Sequence, residues 1–260
     1  MLAEPVPVDA AAELVETEVP VPCVTRQTYR LPALARTAAP GHFVQIEVQG
    51  QGPFPMTRRP LTVSDVDPSA GTFTVVFEEV GEGTRALGRC GRGEFRRVLG
   101  PLGRGYDTLP GDWLLIGGGM GAAGFPLLSR RVDVRRTLLG ARDADHLLEA
   151  GCPNVSCATE DGSRGSCGLV TALCEGVDWG DYDHVALCGP LAMMEAVARL
   201  IPPGRLGRVQ VSTESRMACG YGVCEGCAIP SVDGYLKCCT DGPVIPADRI
   251  DWNAWRETLS

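Results

Sequence analysis

The sequence predicts a multi-domain β + α/β protein: an antiparallel β-barrel, a doubly wound α/β domain, and a small cysteine-rich C-terminal segment. Three observations carry that reading. Residues 21–108 are short β-prone stretches punctuated by Gly and Pro, with no long helical period. Residues 109–211 alternate strand-like and helix-like stretches at βαβ spacing. Residues 212–260 hold five of the twelve cysteines, all between Cys219 and Cys239.

Taken in order, residues 1–20 read as a poorly ordered acidic extension able to dock as an edge strand. Residues 42–48 (HFVQIEV) alternate apolar and polar, the period of a half-buried strand. Residues 61–66 are β-prone and 71–80 (GTFTVVFEEV) contain a clear strand, so 21–108 is expected to form a small antiparallel barrel or sandwich. A buried strand at 112–116 runs into the turn GGGMGAAG at 117–124 and a helix-like stretch. Strands at 136–139, 155–159, 184–188 and 208–212 then alternate with helices at 144–150, 168–174 and 191–200, implying a parallel sheet. Residues 235–239 read as a strand entering the turn Asp241-Gly242-Pro243.

The 260 residues suffice for one large domain or two ordinary ones. A net charge of −8 argues against a general nucleic-acid binder and favours steering by basic partners. Lys237 is the only lysine among the basic residues, a compositional bias rather than chemistry. The N-terminus has no basic n-region and no continuous apolar stretch, so no signal peptide is expected. The longest apolar run, 113–128, is broken by Gly117, Gly118, Gly119, Gly121 and Gly124, so no membrane span is expected either. A reducing cytoplasm is the expected setting, where clustered cysteines serve metals more often than crosslinks.

The strongest chemical signal is RMACGYGVCEGC followed by KCCTDGP. Cys219, Cys224 and Cys227 form C-x4-C-x2-C, with Cys238 and Cys239 eleven and twelve residues beyond Cys227. Thiolates are soft ligands, and the interleaved Gly220, Gly222 and Gly226 let the backbone wrap a centre and offer it N–H groups. This is the plant-type [2Fe–2S] spacing, whereas structural zinc more often uses two C-x2-C pairs. Adjacent side chains of an extended segment face opposite ways, so Cys238 and Cys239 are alternatives for a fourth ligand. The residues alone leave that choice open.

Other motifs are weaker. Gly119-x-Gly121-x-x-Gly124 follows a strand and precedes a helix, where N–H groups hold a pyrophosphate; Gly117-x-Gly119-x-x-Ala122 fits equally, and simple close packing is the plain alternative. Arg58-Arg59-Pro60-Leu61-Thr62 places guanidinium forks and a hydroxyl at a barrel mouth, suited to phosphate or to a solvated turn. Gly81-Glu82-Gly83-Thr84 is a second anion-capable loop or a β-turn. Cys188-Gly189-Pro190 closes a strand at the carboxyl end of the sheet, where such folds bind ligands; a small buried residue is the bland reading of Cys188. Met193 and Met194 read as helix core. Cys23, Cys90, Cys152, Cys157, Cys167 and Cys174 lack ligand spacing, and His42, His146 and His184 form no catalytic constellation. The clump RRVDVRR at 130–136 reads as solvated surface, or as a contact for a partner or a nucleotide phosphate. Asp143 and Asp145 stand where a carboxylate would hydrogen-bond a ribose, which favours NAD, while the adjacent Arg142 would favour NADP.

The order RRPLT, GEGT, GPLGRGY, Gly-rich turn, CGPLAMM, ESRMACGYGVCEGC and CTDGP resembles the electron-transfer subunit of NAD-dependent dihydroorotate dehydrogenase, in the ferredoxin-reductase group. The resemblance spans about residues 20–250. It implies an FAD-binding barrel over 21–108, an NAD-binding α/β domain over 109–211 and a [2Fe–2S] segment over 212–260. It selects Cys239, two positions before Asp-Gly-Pro, as the fourth ligand with Cys219, Cys224 and Cys227. It maps flavin contacts onto Arg59, Pro60, Leu61 and Thr62, onto Val76, Phe77 and Glu78, and onto Gly83 and Thr84. Glu78 departs from the common arginine, and AAGFP carries its proline later than usual. Nicotinamide contacts are expected at Gly117, Gly119, Gly121, Cys188 and Gly189.

A nicotinamide delivers electrons in pairs and an iron–sulfur cluster carries one, so a flavin must stand between them. The implied partner is an FMN-containing catalytic subunit that oxidises dihydroorotate in pyrimidine (UMP) biosynthesis, in an α2β2 heterotetramer. No residue set here suits orotate, so no catalytic residue is expected on this chain. Two alternatives are a reductase subunit of the same build for another acceptor (ferredoxin, polysulfide or a different flavoprotein dehydrogenase) and a zinc-stabilised interaction module. Some related bifurcating subunits replace one cysteine ligand with aspartate; this chain has the full set of cysteines.

Overall fold

The computed structural model describes residues 6–48, 58–149 and 151–258. Six antiparallel strands, β1 (Val8–Val21), β2 (Val24–Arg30), β3 (Phe43–Ile46), β4 (Arg59–Asp67), β5 (Thr72–Glu78) and β6 (Phe95–Leu102), close into a barrel in the order β1-β2-β5-β4-β3-β6. Its interior is filled by alternate residues such as Leu14, Val44, Ile46, Val63 and Val75, with Tyr29 stacked on Phe73 at 5.6 Å. Closure removes every exposed edge.

Of the acidic stretch over 1–20, residues 8–21 take the docked-strand form of the expectation and not the poorly ordered one. Residues 8–21 are a full barrel strand, pairing with β6 from Val8↔Gly100 to Glu13↔Phe95 and with β2 from Glu13↔Arg30 to Val21↔Val24. Ala12 and Leu14 point into the core while Asp9, Glu13 and Glu18 face outward and meet arginines of neighbouring strands. The acidic residues that suggested a tail are one face of a period-2 strand. Residues 1–5 lie outside the described residues.

The second layer is a seven-stranded sheet. Strands β7 (Asp112–Gly118), β8 (Asp133–Ala141), β9 (Val155–Thr159), β10 (Ser166–Cys167), β11 (His184–Cys188) and β12 (Val209–Ser212) run parallel in the order β10-β9-β8-β7-β11-β12. The strand order reverses at β7 and β11, so their carboxyl ends form the crevice where such sheets take ligands. Expected helices are present at Val170–Cys174 and Leu191–Leu200. The helix expected over 144–150 is instead one 3-10 turn, Ala144–His146. The Asp143 carboxylate accepts the His146 backbone N–H at 3.1 Å and caps that turn, after which Leu147 and Leu148 drop into apolar clusters. Ala150, the last residue of that expected helix, lies outside the described residues.

The C-terminal segment is tied to both layers. Strands β13 (Ala228–Ser231) and β14 (Gly234–Lys237) form a two-stranded ribbon, and β15 (Val244–Pro246) joins the large sheet antiparallel to β12. Arg104, just after β6, accepts from Val244 N–H at 3.3 Å and donates its own N–H to Gly242 at 2.6 Å. No helix among the described residues is long and apolar enough to cross a membrane.

Candidate functional site

The ribbon explains how distant cysteines meet. Its register, Ala228↔Lys237 through Ser231↔Gly234, puts Cys227 directly before one strand and Cys238-Cys239 directly after the other. Cys238 N–H donates to the Cys227 carbonyl at 3.0 Å. The two neighbouring thiols then part, as successive residues of an extended chain must. Cys238 is fully buried, with Sγ 3.5 Å from Thr213 Oγ1. Burial pushes its thiol up to about 12 against the Thr213 hydrogen bond. Cys239 turns the other way. Burial first, then the hydrogen bond and charge of Cys227, push its pKa up to about 12, while the Gly222 N–H pulls the other way.

The loop carrying Cys219 and Cys224 is shaped by left-handed residues. Gly220 and Gly222 have φ of 78° and 86°, and a side chain at Gly222 would strike Thr240 at 2.9 Å. Slight burial raises the Cys219 thiol, but N–H groups of Cys224 and Tyr221, the Cys224 side chain and Val223 N–H outweigh it and bring it down to about 6. Cys224 N–H lies 3.5 Å from Cys219 Sγ. Such N–H groups stabilise a thiolate, the form that ligates iron. Cys227 and Cys239 are buried while Cys224 is exposed, so the four thiols run from the interior to the surface. Among the described residues, no three metal-ligating groups stand close enough to grip a single ion.

On the barrel, β3 and β4 pair Phe43↔Thr62, Val44↔Leu61, Gln45↔Pro60 and Ile46↔Arg59. Leu61 and Phe77 fill the barrel core, while Thr62 and Val76 face the second layer. A side chain on Gly83 would lie 2.2 Å from Arg59 Nε, so the RRPLT and GEGT stretches meet at the barrel rim. Thr84 Oγ1 accepts from Gly81 N–H at 3.2 Å and fixes that loop. Glu78 is half-buried at the end of β5. Gly124 lies over Thr62, with 3.1 Å between a Cβ there and Thr62 Cγ2. The Gly-rich turn therefore sits directly on the barrel face.

The glycines of that turn divide by task. Gly117 packs on Phe125 and Leu139, and a Cβ at Gly121 would meet the Cys188 carbonyl at 2.3 Å. At Gly119, with φ of 51°, an added Cβ would meet nothing within 4 Å beyond its chain neighbours. Gly118 and Gly189 both press on Met193, which also packs partly buried against the apolar core, while Met194 is buried within it, as expected of helix core. Cys188 is pushed up to about 12 by burial, against a Ser212 hydrogen bond. Asp143 is held below the usual carboxylate range, chiefly by a hydrogen bond from His146 and then by Arg142, which lies 3.2 Å away.

Comparison with known proteins decides what this arrangement belongs to. The chain is 35% identical, over 81% of its own length and 86% of theirs, to proteins named dihydroorotate dehydrogenase B (NAD(+)), electron transfer subunit, from Bacillus mycoides and Bacillus cereus. The chain belongs to this family. The model of the iron–sulfur cluster binding domain of dihydroorotate dehydrogenase B matches residues 214–251, the stretch that holds the converging thiols. A solved NADH-dependent reduced ferredoxin-NADP oxidoreductase, studied for flavin-based electron bifurcation, superposes with a TM-score of 0.82. It is 28% identical and covers 96% of this chain and 93% of its own. The cytochrome b5 reductase domain of Ulva prolifera nitrate reductase shares the fold, with TM-score 0.61, 17% identity and coverage of 78% and 97%.

For a member of the dihydroorotate dehydrogenase B electron-transfer family, sequence reasoning passed over the residues that join the parts. Thr213 Oγ1 donates to the Pro243 carbonyl at 2.7 Å, pinning the turn that follows the last cysteines. Gln45 lies fully buried beneath Gly220. A polar residue inside the otherwise apolar stretch FVQI was the one available signal for it.

Proposed function

We propose that this chain is the electron-transfer subunit of a dihydroorotate dehydrogenase, carrying electrons between the FMN of a catalytic subunit and NAD+ through a [2Fe–2S] cluster and FAD. The observation that carries the reading is the seating of the cysteine loop against the outer face of β3, the strand paired with Arg59–Thr62. The donor set fits the cluster: four soft thiols, with N–H groups of Gly222, Tyr221, Val223 and Cys224 directed at two of them. Cys219, Cys224, Cys227 and Cys239 would hold the irons. Arg59 at the rim, with Gly83 and Thr84, would bind flavin phosphate. Pro60, Leu61, Thr62, Val76, Phe77 and Glu78 would form the flavin-facing wall, Leu61 and Phe77 through backbone because their side chains fill the core. Gly117, Gly119, Gly121, Cys188 and Gly189 would shape the nicotinamide crevice, with Gly119 leaving the open approach.

A flavin supplies the conversion between paired and single electrons. This chain's own part is to hold the groups in line: Gly124 over Thr62 excludes water from the barrel face, and the exposed Cys224 end presents the loop to a partner. NAD rather than NADP is favoured because Arg142 is already paired with Asp143, although that same pairing also engages the carboxylate. A reducing cytoplasm is favoured because the cysteines cluster for a metal centre and none of the twelve is joined in a disulfide.

The test is anaerobic co-expression with an FMN-containing dihydroorotate dehydrogenase catalytic subunit. An α2β2 complex that bleaches its flavin with dihydroorotate and reduces NAD+ is expected. Colourless protein with stoichiometric zinc would overturn the reading. Capture of a different flavoprotein dehydrogenase instead would support the second reading, a reductase subunit for another acceptor, which the superposition on a ferredoxin-NADP oxidoreductase favours.

A further inference from the structure

Three glutamines are buried among the described residues, and two of them are fully employed. Gln27 donates Nε2–H to the Leu87 carbonyl at 2.8 Å and accepts from Tyr29 Oη at 2.7 Å. Gln210 accepts from Asp107 N–H at 2.8 Å and donates to the Asp107 carbonyl at 3.0 Å. Gln45 is 0% exposed, yet neither Nε2 nor Oε1 has a partner among the described residues. Leaving a buried polar group without a partner is costly, so such an amide implies a group it was built to meet.

Position says which group. Val44 and Ile46 fill the barrel interior, so Gln45 between them projects outward from β3. A Cβ on Gly220 would stand 2.6 Å from its Nε2 and 2.9 Å from its Cγ, so the carboxamide lies flat beneath the residue that follows Cys219. Only glycine at position 220 permits this approach. A centre bound by four thiolates is anionic, and at such a centre the NH2 end of an amide is the favoured face.

Resting on the functional reading above, we propose that the Gln45 side chain donates an N–H···S hydrogen bond to the iron–sulfur centre and tunes its reduction potential from the barrel side. A donor stabilises the more negative, reduced centre more than the oxidised one, so it raises the potential.

The experiment is an EPR-monitored redox titration of the complete complex carrying Gln45→Leu, a near-isosteric change that removes both polar atoms. The expected result is a shift of the cluster midpoint to lower potential, with the flavin midpoint and the iron and sulfide content unchanged. Equal cluster midpoints in the loaded variant and wild type would overturn the proposal while leaving the functional reading intact. Wild-type complex without iron and sulfide would overturn both. If the variant fails to assemble, the wild type labelled with 15N at glutamine side-chain amides decides. A 15N hyperfine coupling to the reduced centre supports the bond, and its absence refutes it.

Discussion

The sharpest prediction separates two adjacent cysteines. Cys238→Ala removes one sulfur from a fully buried site where the thiol meets Thr213 and the Ser215 N–H, all weak partners of sulfur. The lost transfer energy is about 0.8 kcal/mol for a methylene-sized group. A residual void of roughly 20 Å3 adds about 0.5 kcal/mol. The thiol is a weak donor, and Thr213 keeps its stronger bond to Pro243 at 2.7 Å, so little more is lost. The total, about 1–1.5 kcal/mol, corresponds to a fall of roughly 2–6 °C in the thermal midpoint. Iron and acid-labile sulfide per chain should stay at the wild-type level. Cys239→Ala sits one residue away with the same burial class, yet its thiol faces Cys227 and the Gly222 N–H. Iron and sulfide should collapse in that variant, and the visible spectrum should lose its iron–sulfur shoulder. Metal analysis of the two proteins, purified anaerobically in parallel, decides the matter. Loss of iron from Cys238→Ala with retention in Cys239→Ala would refute the assignment of faces.

Two further outcomes follow from named contacts. Gly83→Ala should fold normally, because the three atoms nearest the added methyl all belong to the movable Arg59 guanidinium, the first 2.2 Å away. Displacing that group should weaken flavin retention by about 1–3 kcal/mol, roughly 5- to 150-fold in affinity, read by flavin absorbance after dialysis. His42, 6% exposed and held at about 4 by burial, stays neutral in the fold, whereas an unfolded histidine titrates near about 6.5. The unfolded chain binds the extra proton between those values, so stability is lost as pH falls through that window, by at most about 3 kcal/mol. His42→Gln keeps an acceptor for the Ala39 N–H, now bonded to Nδ1 at 3.0 Å, and should flatten the midpoint-versus-pH curve between pH 6.5 and 4. Parallel curves would refute the burial argument.

The sequence by itself determined the element types where the pattern was legible: the alternation over 42–48, the β-prone run over 71–80, the βαβ spacing, and the cysteine spacing that calls for a metal centre. It left residues 8–21 open between a poorly ordered tail and a docked strand, because charge on one face of a strand looks like charge in a tail until β2 and β6 are seen on either side. It misjudged residues 144–150, where the backbone turns extended at Leu147 after one 3-10 turn and Leu147 and Leu148 join apolar clusters instead of continuing a helix. Local pattern could not divide Cys238 from Cys239. Which thiol faces the core and which faces the cysteine loop depends on the register of a ribbon packed against Thr213, a contact 25 residues away in the chain. Nor could it connect Gln45 to Gly220, or Arg59 to Gly83, or Thr62 to Gly124. Periodicity is a property of neighbours along the chain, whereas a site is made where separately folded faces meet, and only the closed barrel and the docked sheet bring those faces together.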